Sequence, residues 1–80
     1  MTPRDRAIEA RSELESAILD YLKSKADGAT NVEVARDLGL ESGLSGNQKN
    51  YLSYSLLGEL KERGLIKREE VEGRKTYKIV

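Results

Sequence analysis

The 80-residue chain contains no cysteine, histidine, tryptophan or phenylalanine, and it has a single proline. Without cysteine, neither a disulfide nor a thiolate zinc site can reinforce the fold, so apolar packing must stabilise it alone. Histidine and cysteine are also the commonest general base and thiol nucleophile of enzymes. The fourteen carboxylates lie mostly beside Lys or Arg, and no pair of them is marked as sharing a cleft. The sequence therefore predicts a protein that is not an enzyme, with no metal, no cofactor and no small-molecule substrate.

Long apolar runs are missing as well. No stretch approaches the ~20 apolar residues that span a bilayer. The N-terminus, with Arg4, Asp5 and Arg6, lacks the apolar run of a signal peptide. We therefore expect a cytoplasmic protein with no membrane partner, forming a single domain over residues 1–80.

An excess of charge of one sign is present only locally. Fourteen Lys and Arg balance fourteen Asp and Glu, and a net charge of zero does not by itself favour a nucleic-acid partner. Residues 1–42, however, contain six basic and nine acidic side chains, a balance of −3, whereas residues 43–80 contain eight and five, a balance of +3. The C-terminal half is therefore the candidate surface for an anionic partner.

Capping signals and apolar spacing predict two helices in the N-terminal half, near residues 3–26 and 31–39. Thr2 can cap the first helix, and Asp27-Gly28 is expected to end it. Thr30 and Glu33 have the spacing of a capping box at the start of the second. The apolar stripes of the two helices are Leu14, Ile18 and Leu22, and then Val34, Ala35 and Leu38.

A third helix is predicted near residues 46–63, with Ser45 and Gln48 as its capping box and Gly64 as its stop. Its inward stripe is predicted to be Leu52, Leu56 and Leu60, with Leu57 on the flank. A projection at 100° per residue places polar and aromatic residues on the opposite face. These are Asn47, Asn50, Tyr51, Tyr54, Gly58 and Lys61.

After Gly64 the apolar period changes from near 3.6 to 2, which predicts a β-hairpin over residues 65–80. Glu72-Gly73-Arg74 is its expected turn, so the hairpin has a basic tip. The predicted fold class is therefore mainly α with a C-terminal β-hairpin. The predicted core is Leu14, Ile18, Leu22, Val34, Leu38, Leu52, Leu56, Leu60, Ile66 and Ile79, and Tyr21 and Tyr77 are expected at its rim.

This order of elements resembles a winged helix-turn-helix of three helices plus a wing. Residues 32–40 look like the first helix of a helix-turn-helix, in which a small Ala permits close packing and Gly turns the chain. Residues 52–66 are similar to the recognition helix and first wing strand of arsenical-repressor-like and multiple-antibiotic-resistance-like regulators, and residues 73–77 resemble their wing tip. The segment 41–46 departs from that pattern, because the simplest helix-turn-helix has three or four residues there.

The resemblance implies that double-stranded DNA is the partner, with the third helix in the major groove and the wing on the DNA backbone. Amide side chains can pair with an adenine edge, tyrosines can reach phosphates or thymine methyls, and cations can pair with phosphates. A cation at the wing tip can also enter a narrow minor groove. The candidate DNA-binding residues are Asn47, Gln48, Lys49, Asn50, Tyr51, Tyr54, Lys61, Arg74 and Lys75.

Other interpretations of these residues stay open. Asn47 to Asn50 could be a polar helix start that contacts only water, the tyrosines could pack or form a protein interface, and the wing tip could be a solvated turn. The chain could be a transcriptional regulator or the recognition module of a DNA-processing system. The alternative class is a winged-helix protein–protein interaction module, and RNA binding is a third. A homodimer or a larger protein partner is compatible with either.

Overall fold

The structure, a computed structural model, describes residues 1–43 and 49–80. Within them the elements follow in the order α1 (Pro3–Lys23), β1 (Ala29–Thr30), α2 (Asn31–Asp37), α3 (Tyr51–Glu62), β2 (Ile66–Val71) and β3 (Arg74–Ile79). The strands form one antiparallel sheet in the order β1-β3-β2. The described part of the chain is therefore a small α+β domain with three helices and a three-stranded sheet. Two of its strands form the predicted C-terminal hairpin.

Helix α1 begins where the sequence predicts and ends earlier. The Thr2 hydroxyl accepts a hydrogen bond from Asp5 N at 3.1 Å, and the Asp5 carboxylate accepts one from Thr2 N at 3.3 Å. This capping box satisfies two backbone donors at the start of the helix. The predicted end at residue 26 is wrong. The helix ends at Lys23, because Ser24 is the C-cap and its hydroxyl donates to the carbonyl of Tyr21 at 2.6 Å.

Gly28 shapes the turn after α1. Its φ is +84°, a conformation that glycine adopts without strain, and a Cβ there would lie 3.0 Å from the carbonyl oxygen of Tyr77. The turn delivers the chain into β1, where Ala29 is opposite Tyr77 and Thr30 is opposite Thr76. Strand β1 was not predicted, since two residues are too few to show a period of 2.

The second helix has the predicted start. The Thr30 hydroxyl accepts from Glu33 N at 3.2 Å, and the Glu33 carboxylate accepts from Thr30 N at 2.9 Å. The helix ends at Asp37 rather than at the predicted residue 39, because Leu38 is already its C-cap.

Helix α3 begins at Tyr51 rather than at the predicted residue 46. The Ser45–Gln48 capping box lies outside the described residues. The predicted inward position of Leu52 is wrong, because its side chain is 46% exposed. The buried positions are Ser53, Leu56, Leu57 and Leu60. Leu56, Leu57 and Leu60 are as predicted, and Ser53 takes the place of Leu52 on the same helix face.

The hairpin turn is one residue shorter than predicted. Strand β2 ends at Val71 and pairs there with Arg74, the first residue of β3. Only Glu72 and Gly73 remain in the loop, and their φ values are +52° and +78°. Two consecutive positive φ values are typical of the type I′ turn that joins antiparallel strands most tightly.

The core lies between the helices and the sheet. Its buried members are Ile18, Leu22, Ala29, Val34, Leu56, Leu57, Leu60, Ile66 and Tyr77. Leu14, Leu38 and Ile79 of the predicted core are partly buried and pack against it, as does Tyr21. Apart from Leu52, the predicted core positions are therefore confirmed, while Tyr77, expected at the rim, is 4% exposed and belongs to the core.

A hydrogen bond ties the C-terminal half of α1 to the end of α2. The Tyr21 hydroxyl donates to Asp37 Oδ2 at 2.6 Å, and Arg36 Nε donates to Asp37 Oδ1 at 3.0 Å. Burial raises the pKa of Tyr21 to about 12, and the hydrogen bond to the ionised Asp37 adds to the rise. The hydrogen bonds from Tyr21 and Arg36 hold the pKa of Asp37 below its usual value. The contact is therefore complete near neutral pH.

Candidate nucleic-acid interface

A groove of about 420 Å³ lies between the outer face of α3 and the hairpin. Tyr51 and Tyr54 form one end of it and are 65% and 52% exposed. The remaining lining residues are Ser55, Gly58, Lys61 and Glu62 from α3, and Arg68 and Tyr77 from the hairpin. Three of the predicted site residues, Tyr51, Tyr54 and Lys61, are thus brought together. Glu62 is the one carboxylate in this lining.

The strand register separates the two predicted wing residues. Arg68 is directly opposite Tyr77, and residues opposite each other in a sheet share a face. Lys75 lies two residues before Tyr77 and is therefore on that same face, opposite Glu70. Arg74 is on the other face of the hairpin. Only Lys75 of the pair therefore shares a hairpin face with the groove.

Ion pairing divides the cations of the C-terminal half. Within residues 1–43 and 49–80, Lys61, Arg68 and Lys75 make no ion pair. Arg74 Nη2 lies 3.5 Å from Glu33 Oε1, and Lys49 Nζ lies 3.5 Å from Glu41 Oε2. Among residues 49–80, the cations without an ion pair in the described structure are therefore these three on the groove and its hairpin face, while Arg74 and Lys49, two predicted phosphate contacts, already have a carboxylate partner.

Glu33 is well suited to hold Arg74. The backbone hydrogen bond from Thr30 lowers the pKa of Glu33, and the nearby charge of Arg74 lowers it further. The carboxylate is therefore ionised near neutral pH while it caps α2 and faces Arg74.

Asn50 occupies a bracing position rather than the groove. Its backbone carbonyl accepts from Asn31 Nδ2 at 3.2 Å and from Ser53 Oγ at 3.1 Å. The buried Ser53 hydroxyl also lies 2.5 Å from Asn31 Oδ1. These contacts join the first residue of α2 to the start of α3. Asn50 Oδ1 is buried and has no hydrogen-bond partner among the described residues.

The long connection before α3 is held at its ends. Ser42 N donates to the carbonyl of Lys49 at 2.8 Å, beside the ion pair between Lys49 and Glu41. With the Asn31–Ser53 contact, this fixes the start of α3 against α2. Asn47 and Gln48 of the predicted site lie outside the described residues.

Sequence reasoning missed Arg68 as a site residue. The strand period placed it on the same face as Ile66, but only the register with β3 sets it beside Tyr77 and the groove. The alternation of residues along β2 therefore indicates the face on which Arg68 lies, but only the pairing of β2 with β3 shows that this face borders the groove.

Neither a metal site nor a membrane span is found in the described ranges. No three Asp or Glu side chains there are grouped to hold a metal ion. No helix there combines the length and the apolar character needed to cross a bilayer.

Comparison of the chain with protein-family models, curated proteins and solved structures gives no match in any of the three.

Proposed function

We propose that this chain is a winged helix-turn-helix domain that binds double-stranded DNA, as a transcriptional regulator or as the recognition module of a DNA-processing system. The observation that carries the proposal is the groove between α3 and the hairpin. It joins two exposed tyrosines to Lys61 and Arg68, whose charges have no carboxylate partner in the described structure, and Lys75 extends the same hairpin face.

The element order supports this proposal. Helices α2 and α3 follow each other and are braced by Asn31 and Ser53, as a helix-turn-helix requires of its two helices. The hairpin follows directly and is compatible with a wing. An α-helix fits the major groove of B-DNA, about 12 Å wide. In this arrangement α3 enters the major groove while the hairpin lies along the DNA backbone.

The chemistry of the groove suits a polyanion. Lys and Arg side chains neutralise phosphates and release counterions, which supplies the sequence-independent part of the affinity. Tyrosine hydroxyls can add hydrogen bonds to phosphate oxygens. Because Lys61, Arg68 and Lys75 have no ion pair in the described part of the chain, they can contact phosphates without breaking one there.

A protein-interaction module is the second candidate, and one observation favours it. Every residue from 3 to 13 in α1 is exposed, including Ile8 at 52%. Arg11 forms an ion pair with Glu59 of α3, but no side chain of this segment is buried against the described part of the chain. A protein partner would bind there rather than at the groove.

The test is a titration of the isotope-labelled chain with mixed-sequence duplex DNA at two salt concentrations, followed by backbone shifts. We expect a dissociation constant of ~10⁻⁴ to 10⁻⁶ M at physiological salt. With about three phosphate contacts, log K should fall with log salt at a slope of roughly −3. Shifts should cluster at Tyr54, Lys61 and Arg68.

A matched pair of variants separates the groove from net charge. Lys61→Ala and Arg4→Ala each remove one exposed cation that has no ion pair within the described ranges, but Arg4 is in the first turn of α1 and does not line the groove. The Lys61 variant should lose affinity and about one unit of salt slope, and the Arg4 variant should lose neither. No binding to several duplexes at low salt would overturn the proposal and favour the protein-interaction module.

A further inference from the structure

Gly58 lies inside α3, seven residues after its start and four before its end. A glycine in a helix interior destabilises the helix relative to alanine, because it loses more backbone entropy on folding. Such a position normally has a compensating reason. The described glycines with positive φ are all at other positions, so backbone conformation is not the reason at Gly58.

Internal packing is not the reason either. Among the described residues, no heavy atom would lie within 4 Å of a Cβ built on Gly58, apart from its chain neighbours and the backbone of its own helix. No described helix or strand therefore occupies the space that a side chain at position 58 would fill. The glycine therefore destabilises α3 without making room for any contact within the described part of the chain.

The open space at Gly58 belongs to the groove. Gly58 is one of its lining residues, together with Tyr54 and Lys61 on the same helix. Residues three and four apart share a helix face, so these side chains flank Gly58 on either side. Arg68 lines the groove from the hairpin. Gly58 thus lines the same groove as two cations that have no ion-pair partner in the described ranges.

We infer that Gly58 is a positioning residue that lets the sugar–phosphate backbone of one DNA strand approach α3 closely. The phosphates on either side of the approach are then within reach of Lys61 and Arg68. Glycine is the residue that permits close approach between a helix backbone and a ligand. This inference rests on the proposed DNA binding and adds the part of the DNA that occupies the groove.

The test uses Gly58→Ala and Gly58→Leu in the full chain, with melting and binding to mixed-sequence duplex DNA measured side by side. Gly58→Ala should raise Tm by about 2 to 8 °C, since alanine favours the helix and meets open space. The same variant should bind DNA more weakly. Gly58→Leu should lose about tenfold or more in affinity, with the salt slope reduced by about 1 to 2 units as phosphates leave Lys61 and Arg68.

Ser12→Ala is the matched control for helix propensity. Ser12 is an exposed residue of α1, outside the groove, and alanine favours the helix there as well. This variant should gain stability and keep the affinity of the parent. A higher Tm together with a weaker affinity for DNA in Gly58→Ala, but not in Ser12→Ala, would show that the open space at Gly58 is used for DNA binding.

Three outcomes would overturn the inference. If both Gly58 variants melted higher and bound DNA as the parent does, the space would not be used, although DNA binding itself would stand. If Gly58→Ala melted lower, the glycine would serve the fold. If the parent bound no duplex, the proposed function would fail and the inference would fail with it.

Discussion

The two faces of α3 differ in what they contact. The inner face places Ser53, Leu56, Leu57 and Leu60 in the core, each at most 3% exposed. The outer face presents Tyr51, Tyr54, Gly58 and Lys61 to the groove. One helix therefore separates the residues that hold the fold from those proposed to bind DNA. Variants on the two faces should fail in different ways.

The largest effect is expected on the inner face. Leu57 is fully buried, so Leu57→Ala should reduce the free energy of unfolding by roughly 2 to 5 kcal/mol. Leu52→Ala should stay within about 0.5 kcal/mol, because Leu52 is 46% exposed. Urea denaturation of both variants measures the difference. Equal losses would show that the helix is rotated from its described position, with Leu52 also in the core.

A smaller loss is expected from the polar contact on the same face. Ser53→Ala removes the buried hydroxyl that donates to Asn31 Oδ1 in a part-buried contact, which should cost about 1 to 3 kcal/mol. Ser55→Ala is the matched control, since Ser55 is exposed and makes no side-chain hydrogen bond within the described residues. Urea denaturation serves here too. If the two serine variants unfolded alike, the Asn31–Ser53 contact would not brace the two helices.

Ser53 also shows which features of the fold could not be predicted from the sequence. The capping boxes at Thr2 and Thr30 could be predicted because each is complete within four residues. The choice between Leu52 and Ser53 as the buried residue could not, since hydrophobicity favours leucine. Ser53 is buried because its hydroxyl meets Asn31, which is 22 residues away in the chain.

The candidate site divides in a similar way. The grouping of Tyr51, Tyr54 and Lys61 follows from helix spacing alone and was predicted. Placing Arg68 beside the groove requires the register of β2 against β3. Recognising that Arg74 is paired with a carboxylate requires knowing that Glu33 lies beside it in the fold. Both depend on contacts between distant segments, which local patterns do not specify.

An effect limited to alkaline pH is expected from the core side of the molecule. The pKa of Tyr21 is raised to about 12 from an ordinary value of 10.0. The raised pKa means that the folded state holds the Tyr21 proton more tightly than the unfolded state does. The contribution of Tyr21 to the free energy of unfolding is therefore complete below pH 10 and is lost between pH 10 and about 12.

Thermal melts of the parent and Tyr21→Phe test this pH window. The parent should melt higher near neutral pH, and the difference should shrink as the pH rises through the window. Tyr51→Phe is the control at each pH, because its hydroxyl makes no hydrogen bond in the described structure. A constant difference between the parent and Tyr21→Phe across the window would show that the bond to Asp37 does not link stability to this ionisation.

The smallest difference concerns two neighbouring cations of the hairpin and tests whether the comparison of faces extends beyond α3. Lys75 is on the hairpin face that lines the groove and has no ion pair in the described ranges, whereas Arg74 is on the other face, 3.5 Å from Glu33. Lys75→Ala should therefore weaken binding to all duplexes and reduce the salt slope by about 1 unit. Arg74→Ala should change the slope less, because Arg74 must first leave Glu33 to reach a phosphate. Both variants should melt close to the parent, since exposed side chains contribute little to stability.

Equal losses of slope would mean that the tip of the hairpin binds DNA whichever face a cation occupies. A larger loss at Arg74 would place the DNA on the α2 side of the hairpin, and the groove along α3 would then not be the interface.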